Sequence, residues 1–317
     1  MRKKTKTVST RKYATTRTRT LLTMLLPGTL WLLVFSYVPM FGVILAFKTY
    51  KLAPGGNFVE SLLTSPWAGI ENFKFMFTTS DAWIMVRNTL GYNLAWMVVT
   101  TVVPLALAIM LSELTKKRLS KTYQTLMFFP HFLSWVVVSY FVFMFLSPTN
   151  GILNGILEFF GAQPIEWYAE TGPWPAILTI ANLWKGTGYG SVLYLATIAG
   201  IDRTYYEAAM IDGASKWKQV VHITLPSLKI MLVITLIMRI GGIFRADFGL
   251  FYNVPRNMGQ LFPVTQVVDT FVYRALVGTR RIDLPAAAGL FQSLVGFVTI
   301  LAANAIVRKV DEESSLF

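Results

Sequence analysis

Four charged side chains interrupt otherwise apolar stretches of this 317-residue chain: Lys185, Arg239, Arg245 and Asp247. A charge near the centre of a bilayer costs at least ~2.5–3.5 kcal/mol on insertion scales, so such a residue usually faces a cavity or a partner. Trp184, Tyr189 and Phe248 lie close to these charges in sequence. Aromatic faces beside polar groups suit a sugar, whose ring C–H faces stack while its hydroxyls are hydrogen-bonded. Trp184, Lys185, Tyr189, Arg239 and Phe248 are therefore the candidate lining of a substrate pathway. The competing reading is that the charges bond backbone carbonyls or one another inside a helical bundle. Both readings stand open for Lys185 and Arg239, and the second is preferred for Arg245 and Asp247. Three cations against one acid would suit an anionic solute. Chemistry of other kinds is poorly supplied. There is no Cys, which excludes disulfides, thiol catalysis and Cys-built metal centres. His131 and His222 are the only two histidines, too few for a His-built metal site or a triad of the usual kind. Glu207 and Asp212 could pass for an acid–base pair, but they sit on a connecting loop. No catalytic or metal-binding residue is assigned.

The elements that must position these residues are membrane helices. Hydrophobic residues make up 54% of the chain and charged residues only 14%, against about 25% charged in a soluble domain. About 20 mostly apolar residues cross a bilayer as a helix. Six stretches qualify, approximately 21–47, 88–111, 123–146, 174–200, 227–251 and 284–307. Lys185 then lies about 16 Å into the fourth and Arg239 about 18 Å into the fifth, at 1.5 Å per residue. A regular helix would not put Arg245 and Asp247 on one face, so either Gly241-Gly242 bends the span or each charge has its own partner.

Orientation follows from the placement of Lys and Arg, which are enriched on the cytoplasmic side. The tail before the first span holds eight of the 29 basic residues (Arg2, Lys3, Lys4, Lys6, Arg11, Lys12, Arg17, Arg19) and no acid. Together with Lys116, Lys117, Arg118 and Lys121, the loop after the fourth span and the C-terminus, this places both termini in the cytoplasm. A nucleic-acid role for the tail is not favoured, because it leads straight into a span and has one aromatic, Tyr13. The first outer loop, 48–87, is long enough to form a small cap, and Trp67, Trp83, Trp167 and Trp174 are read as an interfacial belt.

The most informative segment runs from Gly200 to Trp217. Thr204 and Glu207 have the spacing of a capping box, which predicts a short helix from Tyr205 to Asp212. Gly213 supplies a left-handed stop. Ser215 can cap a second helix reaching His222, and Pro226 suits the first turn of the fifth span. Small residues, Ala208, Ala209, Gly213 and Ala214, leave room for a partner to pack closely.

Glu207-Ala208-Ala209, Gly213, Ile223 and Leu225-Pro226 match at every spacing the EAA loop of ABC importer permeases, and the chain resembles that family. The runs Arg239–Phe251 and Asp283–Ser293 resemble sugar-importing permeases of the MalF/MalG type, and Phe251-Tyr252-Asn253-Val254-Pro255-Arg256-Asn257 is most similar to the LplB-type oligosaccharide permeases. Leu284-Pro285 departs from the Gly-Met or Gly-Tyr of many relatives. The resemblance implies an all-α integral membrane protein of six transmembrane helices, with a cytoplasmic EAA coupling loop between helices 4 and 5. It divides the chain into a basic tail (1–20), a first helix and outer loop (21–84), a transmembrane core (85–308) and a C-terminal tail (309–317). It also implies a bacterial cytoplasmic-membrane location, a second homologous permease, two copies of a cytosolic ABC ATPase and an extracytoplasmic solute-binding lipoprotein. ATP and Mg would be bound by the ATPase, with no cofactor in this chain, and Glu207, Ala208, Ala209, Asp212 and Gly213 would contact it. The chain has no G-x-x-x-x-G-K phosphate loop of its own. Other classes are less well supported. Gly186-Thr187-Gly188-Tyr189-Gly190 partly matches a potassium-channel filter, but it sits inside a span beside a cation. No protease or hydrolase motif marks a membrane enzyme. A permease for another solute class is the nearer alternative.

Overall fold

The computed structural model describes residues 10–279 and 282–310. Arg2, Lys3, Lys4, Lys6, Arg280, Arg281 and residues 311–317 of the expected C-terminal tail lie outside the described residues, as do the side chains of Arg11, Lys12, Arg17 and Lys117. Among the described residues regular structure is helical, apart from one isolated antiparallel bridge between Lys48 and Trp67.

The chain opens with α1 (Thr10–Leu32), which runs on through a π turn (Leu33–Tyr37) and a 3-10 stretch (Val38–Phe47). Pro39 falls at the start of the tighter stretch, where a residue without an N–H cannot continue the α ladder. The expected outer cap is built from α2 (Phe58–Thr64) and α3 (Glu71–Thr78). Lys48 Nζ donates to the Leu62 carbonyl (2.6 Å), and Asn72 Nδ2 donates to the carbonyls of Ala46 (3.0 Å) and Lys48 (2.9 Å). These buried bonds tie the cap to the end of the first helical segment. Next comes α4 (Ser80–Ser112), capped by Thr79, whose hydroxyl accepts from the Ala82 N–H.

The expected third span, 123–146, is not one straight helix. α5 (Lys117–Phe128) continues as a 3-10 turn (Phe129–Phe132) and meets α6 (Trp135–Leu146) at 101°. Pro130 breaks the ladder, and Ser134 starts the new helix by accepting from the Val137 N–H. After α7 (Ile152–Phe159) comes α8 (Trp174–Ala199), which packs along α4 and α5. The Gly186–Gly190 stretch is regular helix within α8, with its backbone oriented along the helix ladder and not as a filter loop.

The connecting loop contains α9 (Arg203–Ile211), α10 (Lys216–Gln219), a π turn (Val220–Thr224) and α11 (Leu225–Ser227). A 57° bend then leads into α12 (Lys229–Gly241). Pro226 therefore precedes the bend and does not open the membrane helix. The expected fifth span, 227–251, also ends early. At Gly242 the N–H turns back to the Arg239 carbonyl (3.1 Å), and the chain leaves the helix before α13 (Phe248–Asn253). A 3-10 turn (Gly259–Leu261), α14 (Phe262–Thr265), α15 (Val268–Arg274) and a π turn (Ala275–Thr279) lead to α16 (Asp283–Val310).

Segments Thr18–Phe47, Ser80–Ser112 and Asp283–Lys309 are long and apolar enough to cross a membrane, and the two bent pairs each qualify when joined. α8 is long enough but is not among them, because Asn182, Lys185 and a run of glycines and hydroxyls dilute its apolar character. The main core gathers Trp96 from α4, Val138 from α6, Trp174 and Leu178 from α8, and Leu250 and Phe251 from α13. Trp174 is fully buried and donates through Nε1 to the Trp167 carbonyl (2.6 Å), while Trp167 donates to Asn154 Oδ1 (2.8 Å). These two tryptophans are core anchors, not belt residues, whereas Trp67 and Trp83 are exposed as expected.

Candidate functional site

The loop after α8 folds as a capped helix–turn–helix. Its first helix is capped by Asp202, not Thr204: the Asp202 carboxylate accepts from the Thr204 N–H at 3.0 Å. That bond holds the Asp202 carboxyl below its ordinary value of 3.8. Helix α9 therefore begins two residues earlier than the Thr204–Glu207 spacing implies, because an Asp at the preceding turn competes better for the cap. Its end is as expected. Gly213 has φ +73°, its N–H bonds the Met210 carbonyl (3.1 Å), and the Ala214 N–H bonds the Ala209 carbonyl (2.8 Å). This is a Schellman stop, which needs a residue that tolerates left-handed backbone. Ser215 caps α10 through the Lys218 N–H.

Glu207, Ala208, Asp212 and Gly213 are exposed, and Ala209 is half-buried. Two large apolar side chains flank them in the open, Ile211 at 88% and Trp217 at 74% exposure. Three contacts missed in the sequence fix the loop. Tyr206 Oη and Thr224 Oγ1 are hydrogen-bonded at 2.9 Å, joining α9 to the π turn below it. Gln219 is buried and donates through Nε2 to the Ala214 carbonyl (3.0 Å). Lys216 pairs with Glu113, at the end of α4, at 2.9 Å. None follows a local spacing rule, so no sequence signal could have found them.

The candidate pathway residues do not form one cluster. Lys185 Nζ donates to the His131 carbonyl (2.9 Å) and lies 5.3 Å from the centre of the Trp135 ring. The Trp135 indole N–H in turn donates to Asp247 Oδ2 (2.7 Å), and Asp247 caps α13 through the Leu250 N–H. Lys185 and Asp247 thus have partners within the bundle, bridged by a tryptophan at the bend between α5 and α6. The Arg245 carbonyl accepts from Asn93 Nδ2 (2.9 Å), and its guanidinium is exposed. Trp184 lines an apolar cavity of about 530 Å³ with Phe129, Phe141 and Ile180. Phe248 belongs to an aromatic trio with Tyr252 and Tyr273, ring centres 4.8–5.0 Å apart.

Tyr189 and Arg239 do share a site. Both line a cavity of about 460 Å³ between α4, α8 and α12. Arg239 Nη2 donates to the Thr100 carbonyl at 3.3 Å. Tyr189 stacks on His131, ring centres 4.5 Å apart and nearly parallel at 10°. Beside them stand Thr187, named in the sequence only within the filter-like run, and Tyr194, which carries no sequence signal. α8 reaches this position because Gly188 lies directly on the α5 backbone: a Cβ there would overlap the Met127 carbonyl.

Bent apolar helices, a protruding helix–turn–helix loop and polar groups within the bundle define a membrane-embedded transport permease, and relatives point the same way. The chain belongs to the binding-protein-dependent transport system inner membrane component family, whose model matches residues 100–312. It is 33% identical over 297 residues to Protein LplB of Bacillus subtilis (strain 168), covering 94% of this chain and 91% of that one. It is 32% identical to the polygalacturonan/rhamnogalacturonan transport system permease protein YteP of the same organism, covering 92% and 88%. Among solved structures it is similar to a chain of a bacterial ABC transporter involved in import of the acidic polysaccharide alginate, with TM-score 0.85, 30% identity and coverage of 95% and 99%. A second alginate ABC transporter structure, in complex with an alginate pentasaccharide-bound periplasmic protein, matches with TM-score 0.83 and 30% identity over 93% and 96%. The chain is an ABC importer permease.

Proposed function

We propose that this chain is one of two transmembrane subunits of an ATP-driven importer of acidic oligosaccharides in a bacterial cytoplasmic membrane. Six segments cross the bilayer, counting each bent pair and α8 as one span. Both termini and the α9–α11 loop face the cytoplasm, as the basic tail requires. A second homologous permease completes the pathway. Two ATPase copies, which bind ATP and Mg, dock beneath, one on the EAA loop of each permease. An extracytoplasmic binding lipoprotein delivers the sugar.

The observation that carries this reading is the loop itself. α9, closed by the Gly213 stop and tied down at Tyr206, exposes Ile211 beside the EAA residues, and α10 beyond the stop exposes Trp217. Exposed apolar side chains on a rigid helix are what a groove on a partner buries. Closure of the ATPase pair would then move α9, and α9 would carry the movement through the π turn into α12. The acidic substrate class is supported by the named cargo of the pectin-type and alginate relatives.

The test is transport by the reconstituted importer carrying Glu207→Lys or Gly213→Pro. Each variant should assemble and accept the loaded binding protein, but lose transport together with substrate-stimulated ATPase activity. Normal uptake with normal ATPase stimulation in an assembled variant would refute the docking role.

A further inference from the structure

Five buried side-chain polar atoms have no hydrogen-bond partner among the described residues. Three of them, Thr187 Oγ1, Tyr194 Oη and Arg239 Nε, belong to residues that line one cavity between α4, α8 and α12. Unsatisfied buried polar atoms are uncommon and costly, so three on residues around one cavity call for a ligand. Tyr194 is 2% exposed and Thr187 8%, so bulk solvent does not reach them easily.

The chemistry of the three atoms specifies the ligand. Arg239 Nε–H is a donor, and both hydroxyls can donate. No carboxylate side chain lines the cavity. One end of the guanidinium is occupied by the Thr100 carbonyl, which fixes its plane and leaves Nε–H to point elsewhere. A fixed cation with two hydroxyl donors, in a low-dielectric wall, is complementary to a carboxylate, whose two oxygens accept several bonds at once. The volume of about 460 Å³ lies within the ~300–1,000 Å³ of small-molecule sites. Tyr189, on the same wall, supplies an exposed aromatic face for the ring that bears the acid. A Cβ at Gly186 would meet no atom within 4 Å, so the wall between them is open.

We infer that Arg239, Tyr194 and Thr187 form a carboxylate-selecting subsite that reads the acid group of each uronate unit passing through this subunit. The inference rests on the oligosaccharide importer reading and adds to it a residue-level origin of charge selectivity.

The experiment uses the complete importer in proteoliposomes with its binding protein. The probes are trigalacturonate and its neutral methyl ester at equal saturation of the binding protein. Wild type should import the acid at least tenfold faster than the ester. Arg239→Gln should abolish that preference by slowing the acid alone, and Arg239→Lys should retain part of it. Tyr194→Phe and Thr187→Val should each slow the acid several-fold. Tyr194→Phe deletes a hydroxyl that has no hydrogen-bond partner and so breaks no bond, and recovery of the assembled complex with active ATPase checks its folding. Equal slowing of both probes in Arg239→Gln, or unchanged acid uptake in Tyr194→Phe and Thr187→Val, would overturn the subsite and leave the importer reading intact. Faster import of the ester by wild type would do the same. Import of neither probe by an assembled complex with an active ATPase would overturn both.

Discussion

Gly188 gives the sharpest test of how the bundle is packed. A Cβ built there overlaps the Met127 carbonyl group and lies 2.7 Å from the Phe128 nitrogen, all backbone atoms of α5. A flexible side chain could step aside, but a helix backbone cannot. Restoring ordinary contact, about 3.5 Å between carbons, demands that α5 and α8 part by on the order of 1 Å. Overpacking of this kind costs about 1–3 kcal/mol or more. The gain from replacing Gly by Ala inside a helix, up to about 1 kcal/mol, opposes it. Two residues earlier, Gly186 offers a matched control in the same helix. Nothing lies within 4 Å of its Cβ, so Gly186→Ala collects the propensity gain without the clash. The propensity gain is common to both, so the two variants should differ by the clash alone, roughly 1–3 kcal/mol, which for 150–250-residue domains corresponds to about 2–12 °C in midpoint. Thermal unfolding of the detergent-solubilised chain, read by size-exclusion recovery, measures the gap. Lys185 is one turn away and holds the His131 carbonyl at 2.9 Å, so the same displacement should loosen that bond. If Gly188→Ala melts with Gly186→Ala, at or above wild type, the backbone contact between α5 and α8 does not exist as described.

Three further outcomes are expected. Tyr206→Phe removes the side-chain hydrogen bond that joins α9 to the π turn, worth about 0.5–1.5 kcal/mol, and should speed amide exchange across Arg203–Ile211 roughly two- to tenfold; unchanged exchange would show that α9 is held otherwise. Asp202 has a depressed carboxyl, so its cap contributes stability above the ordinary value of 3.8 and loses it as pH falls through the lower folded value. Protection factors in α9 should therefore drop on acidification in wild type but stay flat in Asp202→Asn, which keeps a capping oxygen; parallel curves would remove the cap from the account. The exposed Lys216–Glu113 pair should show a coupling of about 1 kcal/mol or less in a double-mutant cycle, shrinking with salt, and a larger, salt-insensitive coupling would contradict its exposed setting.

What could be read in advance was whatever depends on local rules. Gly213 is legible because a glycine after a helical run, followed by a capping Ser215, has few other uses. The apolar runs that become α4 and α16 are legible from length alone. The capping box is misplaced because Thr204 and Asp202 both satisfy the cap rule, and the Thr204–Glu207 spacing draws attention away from the stronger capping preference of Asp. The bends at Leu133-Ser134 and Leu228 were hidden inside apolar runs whose hydropathy is indifferent to direction, whereas the break after Gly241 follows one of the two alternatives that the Gly241-Gly242 pair offers. The fates of Lys185 and Asp247 were not legible at all. Their partner Trp135 lies 50 residues from one and 112 from the other, and only the assembled bundle brings the three together. Thr187 and Tyr194 were passed over for a related reason: a hydroxyl in a span is unremarkable until its neighbours are known to leave it unpaired.

The right-angle turn before α6 bears on how the chain gets into the membrane in the first place. The twelve residues of α6 extend only about 18 Å, against a hydrocarbon core of about 30 Å. The helix that follows, α8, is long enough but too polar to partition well by itself. Neither segment is a good client of the insertion machinery when presented singly. In the six-span arrangement proposed above, α6 and α8 would enter the lipid together, once Val138, Trp174 and Leu178 can join the same core cluster. Substitutions along this hairpin should therefore register first as failed biogenesis and proteolytic clearance, before any defect in the finished transporter can be measured.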